Sequence, residues 1–174
     1  MTDSVARLVL WLFVINLGIA FGAGLYGSRI VVPQWLSYSP DAGYRWNAEA
    51  AREANTGLKF WVLVSTVPLT LLTLANLIAG WRAQGALRAS WLGSALAAAA
   101  DRVFTFSYFI PTMITLMRPA DLSDSEAVAM ATQWGNLNHV RHALIFAAWL
   151  AALQAFSLVY APRWPGRRPG TTST

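Results

Sequence analysis

Hydrophobic residues in this chain are gathered into four long stretches separated by polar segments. The stretches cover residues 8–32, 58–80, 91–117 and 137–160, and each is near or above the roughly 20 residues that span a bilayer as a helix. Only helices satisfy their own backbone hydrogen bonds in lipid without closing into a barrel. The pattern therefore predicts an all-α fold, an integral membrane four-helix bundle formed by one domain, residues 1–161.

Tryptophan and arginine positions agree with these spans and orient them. Six of the nine tryptophans fall at span ends, where an amphipathic ring prefers the headgroup layer: Trp35, Trp61, Trp81, Trp91, Trp134 and Trp164. One side of the predicted bundle carries only Asp3 against six arginines: Arg7, Arg82, Arg88, Arg163, Arg167 and Arg168. That side is predicted to be cytoplasmic, so both termini face inward and residues 162–174 form a disordered cytoplasmic tail.

The first stretch also has features of a cleaved signal peptide. Arg7 precedes the apolar run, and the Ala-Phe-Gly sequence that ends at Gly22 resembles a cleavage site. The run continues to Val32, however, and its small residues suit close helix packing in lipid, which favours a retained span. Gly18 and Gly22 form a GxxxG pair, so a homodimer and packing within the bundle both fit this spacing.

The first outer loop, residues 33–57, is long enough to act as a lid. It begins with a turn signal at 39–43 and then predicts a short helix through Trp46 and Arg52. Whether this segment closes over a ligand stays open at the level of sequence.

The second outer loop carries a helix-start signal. Ser123 and Glu126 form a capping-box pattern, in which each side chain bonds the backbone of the other. A helix is predicted to begin there, to run toward Trp134, and to be interrupted at Gly135.

The amino-acid composition excludes several classes of function. Hydrophobic residues make up 56% of the chain and charged residues 12%, about half the usual charged fraction. The sequence has no cysteine, which excludes disulfides, thiolate catalysis, iron–sulfur clusters and covalent haem attachment. The net charge of +5 comes from scattered basic residues, so the expected partner is the lipid bilayer and no nucleic acid.

Ionisable residues inside the spans are costly and are the first candidates for a site. Asp101 and Arg102 lie about 15 Å from the inner surface, counted from Trp91 at 1.5 Å per residue. Because adjacent helical residues point about 100° apart, the two are predicted to be poorly placed to pair with each other, and each to need a partner from another helix or water. Interhelical packing and a functional carboxylate both fit Asp101.

Two polar faces extend from this layer toward the outer surface. Asn138, Arg141 and His142 share one face of the fourth span. On the third span a polar stripe repeats at helical intervals: Asp101, Thr105, Tyr108 and Thr112. These faces predict a cavity between the third and fourth spans, opening outward, with the first two spans as scaffold.

The two histidines, His139 and His142, are three residues apart. No cysteine or second histidine pair completes a metal-ligand set, and two histidines on one helical turn cannot bind opposite faces of one haem. We therefore predict no metal and no other cofactor. His139 fits an interfacial side chain that reaches water beside Trp134.

Three groups of residues carry a family resemblance. They are Ala23-Gly24-Leu25-Tyr26 leading to Pro33 and Trp35, Phe106-Ser107-Tyr108-Phe109-Ile110-Pro111-Thr112 on the third span, and Trp134, Asn138 and Arg141 at the fourth. Through them, over most of residues 8–160, the chain resembles a bacterial member of the anthrone-oxygenase-like family of small four-span membrane proteins. Most members have no assigned function. The resemblance implies a multi-pass protein of the bacterial cytoplasmic (inner) membrane.

The activity implied by this resemblance is oxygenation of a flat polycyclic phenol, in which O2 is the co-substrate and an anthrone becomes an anthraquinone. A base, a stabiliser of the oxyanion and an apolar slot suffice for this reaction. His142 is the first candidate base and Asp101 the second, while Arg141 and Asn138 are candidates to hold the oxyanion. The candidate substrate contacts are Arg102, Thr105, Tyr108, Thr112 and Trp149.

Two other functions fit the same residues. A non-catalytic accessory protein or carrier of lipophilic molecules needs the polar stripe only for helix packing. An ion or proton path would rest on Asp101, Arg102 and Asn76 at depth.

Overall fold

The computed structural model describes residues 3–40, 43–118 and 122–161, and it is mostly helical. Its helices and strands are α1 (Asp3–Tyr26), β1 (Leu36–Ser39), β2 (Gly43–Trp46), α2 (Ala48–Ala54), α3 (Val67–Arg82), α4 (Gly85–Phe104), α5 (Ile110–Leu116) and α6 (Asp124–Tyr160). Three π-helical segments join them, Gly27–Val31, Gly57–Thr66 and Thr105–Phe109, with a 3₁₀ turn at Val32–Trp35. The predicted tail, 162–174, and part of the predicted turn, 41–42, lie outside the described residues.

Three helical runs are long and apolar enough to cross a membrane: Asp3–Trp35, Gly57–Arg82 and Asp124–Tyr160. A further long run, 85–116, consists of α4, the third π segment and α5. It carries Arg88, Asp101 and Arg102, which lower its hydropathy. Helices long and apolar enough to span a membrane are thus confirmed for three of the four predicted stretches.

The long helices pack in a closed ring. α1 packs against α3 and α6, and α4 packs against the same two helices. Phe13, Leu17 and Leu69 are fully buried where α1, α3 and α6 meet, and the alanines of α4 and α6 allow close approach. Phe13 and Leu17 lie in the part of α1 before Gly22, so this core depends on the N-terminal half of the helix.

Each π segment ends just before a proline. Pro33, Pro68 and Pro111 lie in the first turn of the helical piece that follows the first, second and third π segment. Proline has no backbone N–H and its ring crowds the carbonyl four residues earlier, so the preceding backbone widens to i→i+5 hydrogen bonds. The prolines therefore accompany a widened π segment in each of three long helical runs.

The first loop differs from the prediction, because a β-hairpin precedes the short helix. β1 and β2 pair antiparallel, with Leu36 opposite Trp46, so the prediction that places Trp46 in a helix is wrong. α2 begins at Ala48, after Asn47, whose side chain accepts a hydrogen bond from the backbone N–H of Ala50. We call residues 36–54, the hairpin and α2, the cover, and the end of the molecule where it lies the cover end.

The cover is attached to two of the long helical runs. The indole of Trp46 donates to the carbonyl of Leu116 at 2.8 Å, a C-terminal carbonyl of α5 that has no helical partner. Arg45 pairs with Asp124 at 2.7 Å near the start of α6. Trp46 and Ala51 also pack against Leu116 and the first turns of α6. These contacts hold the cover across the ends of α5 and α6.

α6 starts as predicted and ends later than predicted. The capping box at Ser123 and Glu126 is confirmed, and donation from the side chain and backbone of Ser123 lowers the pKa of Glu126. The cap therefore persists below the usual pKa of a glutamate and is lost only as pH falls through the lowered value. The predicted interruption at Gly135 is wrong, since α6 continues through it to Tyr160 and one glycine costs a helix only about 1 kcal/mol.

A close backbone contact between two helices lies at Gly80. A methyl group at this position would lie 2.9 Å from the backbone nitrogen of Leu92, whereas one at Gly93 would meet nothing within 4 Å. We expect Gly80→Ala to lower the free energy of unfolding by about 1–3 kcal/mol through overpacking. Gly93→Ala is the matched control and should leave stability equal or slightly higher. Denaturant unfolding in detergent measures both, and equal effects would contradict this packing.

Candidate functional site

A cavity of about 620 Å³ lies in the half of the molecule near the cover. All three π segments contribute to its wall, together with α1, α4, α5 and α6. The prediction of a cavity between the third and fourth spans alone is therefore too narrow, and the first two spans are more than scaffold. The π segments make space for the cavity. Where a helix widens, its side chains no longer follow the regular ridges that pack against a neighbouring helix.

One end of the cavity is apolar and the other is polar. Phe60, Trp61, Met113 and Ile145 belong to its apolar wall. Five polar side chains gather on the wall formed by α4, the third π segment and α6: Arg102, Thr105, Asn138, Arg141 and His142. An apolar cavity with a few converging polar groups is the usual form of a small-molecule site.

Asp101 lies behind the polar end of the cavity and binds both of its arginines. Its side chain is 0% exposed and does not reach the cavity wall. One carboxylate oxygen accepts a hydrogen bond from Nε of Arg141 at 3.1 Å, and the other accepts from Arg102. Asp101 thus joins α4 to α6 and aims both guanidinium groups toward the cavity.

The prediction that Asp101 and Arg102 are poorly placed to pair is wrong. Nε of Arg102 donates to Oδ2 of Asp101 at 3.0 Å, and a second nitrogen of the same guanidinium contacts that oxygen. The 100° offset between neighbours restricts short side chains, but the arginine side chain is long enough to curve back to the adjacent carboxylate. The second half of the prediction, a partner from another helix, is met by Arg141.

The polar end has more positive than negative charge. Two guanidinium groups, with side chains 7% and 18% exposed, share one buried carboxylate, and all other carboxylates within the described residues are exposed. Nη1 of Arg102 and Oγ1 of Thr105 are buried without a hydrogen-bond partner among these residues. Buried charge and unpaired polar atoms are costly in lipid, so the site is suited to a ligand that carries an oxyanion.

Arg141 is fixed on three sides. Besides Asp101, it donates from Nη1 to Oδ1 of Asn138 at 3.3 Å. Its guanidinium lies 4.7 Å from the ring centre of Phe109, a cation–π distance. Trp134 packs edge-on to Phe109 and donates to its carbonyl at 3.2 Å. The residues that enter the fourth span therefore position Arg141.

His142 faces α1 at very short range. A methyl group at Gly24 would lie 2.8 Å from Nε2 of His142, so only glycine leaves room for the ring in this position. Nδ1 of His142 is buried without a partner within the described part of the chain. His139, by contrast, is exposed on the outside of α6 and does not line the cavity.

Three predicted substrate contacts lie away from the cavity. Tyr108 and Thr112 are half-buried but absent from its wall, because the third π segment adds residues to the turn and rotates Phe109 and Met113 inward instead. Trp149 packs in the core, 3.3 Å from where a methyl group at Gly18 would sit.

The deep amides act in packing. Asn16 donates to the carbonyl of Val64 at 2.9 Å, and Asn76 accepts from the indole of Trp91 at 2.7 Å. Neither amide lines the cavity. Gly24, Trp61 and Ser65 line the cavity and were not predicted as site residues. The sequence signal for this widened region is the set of prolines that follow the π segments.

The described residues contain no group of three or more histidine, aspartate or glutamate side chains placed to hold a metal ion. Comparison with protein-family models, with curated proteins and with solved structures gives no match to this chain.

Asp101 pairs with both Arg102 and Arg141, so removing its charge should lower the stability of the protein strongly. We expect Asp101→Asn to lower the free energy of unfolding by about 3–5 kcal/mol, because two buried guanidinium groups would lose their counter-charge. Asp124→Asn breaks the exposed pair with Arg45, with side chains 63% and 57% exposed, and should cost up to about 1 kcal/mol. Unfolding in detergent compares them, and similar losses would show that the cluster is not stabilising.

Proposed function

We propose that this chain is a four-span protein of a bacterial cytoplasmic membrane that oxidises a lipophilic polycyclic phenol with O2, without a resident cofactor. Both termini face the cytoplasm, and the cover faces the opposite side, as the arginine-rich end of the bundle favours. The observation that carries the proposal is the apolar cavity whose buried end holds two guanidinium groups and a histidine against one carboxylate.

The cavity suits a flat aromatic body with one oxygen at its end. Its volume of about 620 Å³ falls in the range of small-molecule sites. Phe60, Trp61 and Phe109 offer aromatic surfaces for ring packing. The ring system would lie toward the apolar wall, which leaves its oxygen to face Arg102 and Arg141.

The two arginines stabilise the ligand's oxyanion. Charge-assisted hydrogen bonds from guanidinium to oxyanion are about twice as strong as neutral ones, and they strengthen further where water is excluded. Asp101 is a positioning residue here, since it contacts both guanidinium groups and not the cavity. It therefore fits the role of second candidate base poorly, because a ligand would have to displace an arginine to reach it.

His142 is the residue placed to accept a proton. It removes a proton from the ring carbon opposite the carbonyl, which gives the delocalised anion that Arg102 and Arg141 hold. The anion passes one electron to O2, and recombination forms a carbon–oxygen bond to a peroxide. The peroxide anion takes up the proton held by His142. Loss of the second hydrogen from that carbon then forms the second carbonyl, as the O–O bond breaks and hydroxide leaves to become water. Anthrone and O2 thus become anthraquinone and water, with all atoms and electrons accounted for.

Two alternatives use the same residues differently. A carrier or accessory protein would bind the same phenol in the cavity and release it unchanged. An ion or proton path would need Asp101 to exchange its partners, and a flux in liposomes would then be lost in Asp101→Asn and kept in His142→Ala. An oxygenase would instead lose its turnover in His142→Ala.

The histidine pair provides a matched test of the base. In detergent-purified protein with anthrone and O2, we expect His142→Ala to lower turnover by about 10²-fold or more, the contribution typical of a general base. His139→Ala, three residues away on the exposed face, should leave turnover unchanged. Anthraquinone is measured by its absorbance against an enzyme-free background. Turnover that survives His142→Ala removes this assignment, and binding without turnover in the unaltered chain favours the carrier.

The glycines of α1 test the position of the imidazole without removing it. We expect Gly24→Ala to push His142 aside and lower turnover by about 10²-fold, since a displacement near 1 Å can cost that much. The affinity for the phenol should change little, because the arginines are untouched. Gly22→Ala adds a methyl group that meets nothing within 4 Å and serves as control. If both variants turn over anthrone equally, the close approach to His142 has no role in catalysis.

A further inference from the structure

The cover packs beside one part of the cavity wall. Trp35 and Thr56 lie in this part of the wall, and Trp35 is 5% exposed where it packs edge-on to Trp46. The backbone N–H of Asn47 donates to the carbonyl of Trp35 at 2.7 Å. These contacts, together with the bond from Trp46 to Leu116, hold the described part of the cover against this part of the cavity wall.

The exposed residues of the cavity wall lie elsewhere and are apolar or aromatic. Three of the described wall residues are strongly exposed, namely Tyr26 at 62%, Leu58 at 65% and Ile114 at 47%. Both wall arginines, by contrast, are at the buried end. A mouth that opened to water would expose polar side chains, whereas an apolar rim marks contact with lipid or another apolar partner.

The backbone explains why a mouth forms at this rim. The second and third spans pack on each other chiefly through α3 and α4, away from the cover. Nearer the cover, both are widened by π segments, Gly57–Thr66 and Thr105–Phe109. Pro68 and Pro111 end these segments and permit a kink. Leu58 on the second span and Ile114 on the third are both exposed residues of the cavity wall.

We infer that the ligand reaches the cavity laterally, from the lipid leaflet on the cover side, through a mouth between Leu58 and Ile114. This inference rests on the proposed function for the membrane placement of the chain. Lys59, next to Leu58, donates to the carbonyl of Glu53 and sets the mouth at the boundary between headgroups and acyl chains. The ligand is therefore an amphiphile that is dissolved in the membrane.

The apolar mouth also selects the ionisation state of the ligand. An anion that crosses it would lose its contacts with water and headgroups before it meets the arginines, which makes entry of the charged form unfavourable. A weak acid such as a phenol can cross as the neutral molecule and ionise only when it reaches Arg102, Arg141 and His142. Permanent anions such as sulfonates and phosphates are excluded. The substrate class is a lipophilic weak acid.

The absence of cysteine from the sequence allows a clean test in proteoliposomes. Ser65 lines the cavity and is 2% exposed, so Ser65→Cys places one thiol inside it with little change in size. We expect an uncharged, lipid-soluble pyrene maleimide to label this thiol at least about tenfold faster than a membrane-impermeant sulfonated maleimide, each rate being normalised to that reagent's rate with free glutathione. Both reagents attack the same thiol, so its reactivity cancels.

Bulky residues at the mouth complete the test. In the Ser65→Cys background, Ile114→Trp should slow the lipid-soluble reagent by about tenfold or more by blocking access. Val103→Trp, on the same span and 66% exposed outside the cavity, should not. Equal labelling by the sulfonated reagent, or labelling that Ile114→Trp leaves unchanged, overturns the lateral route. Labelling needs no turnover, so the lateral route can be confirmed even if the protein is not an oxygenase. Likewise, the oxygenase activity can be confirmed even if the lateral route is overturned.

Discussion

A carboxylate cannot remain buried in an apolar bundle without compensation, and Asp101 obtains it from two arginines on different helices. Arg102 comes from the same helix and Arg141 from α6. Through Arg141 the arrangement extends to Asn138 and to the ring of Phe109. One buried charge thus fixes how α4 meets α6, and it also decides which side chains line the polar end of the cavity. The same contacts stabilise the fold and form the site.

The room for the cavity has a separate cause in the backbone. Prolines at 33, 68 and 111 each follow a π segment, and all three segments contribute to the cavity wall. Away from the cover, α3 and α4 pack closely enough that Gly80 meets the backbone at Leu92. Tight packing away from the cover and widened π segments near it place the cavity in the half of the molecule near the cover. A straight bundle of the same residues would bury the arginines without a space beside them.

Hydropathy and spacing predicted the parts of this structure that depend on straight helices. The apolar stretches, the capping box at Ser123 and the shared face of Asn138, Arg141 and His142 follow from a constant 100° per residue. Prediction failed where that period changes: the stripe through Tyr108 and Thr112 is broken by the third π segment. It also failed where side-chain length matters, as between Asp101 and Arg102. The hairpin was missed because its pairing depends on tertiary contacts with α5 and α6 rather than on local pattern.

The surplus of positive charge beside the cavity is difficult to explain by stability alone. A single arginine would balance Asp101, and an apolar residue in place of the other would spare the bundle the cost of a second buried guanidinium. Within the described residues, three buried polar atoms without a hydrogen-bond partner lie on the cavity wall, at Arg102, Thr105 and His142. Oδ1 of Asn16, away from the cavity, is also unpaired. Costs of this kind persist in proteins where function requires them. A ligand that enters neutral and becomes an oxyanion inside would supply the missing charge only while it is bound, so the apolar mouth and the charged end act on one molecule in sequence.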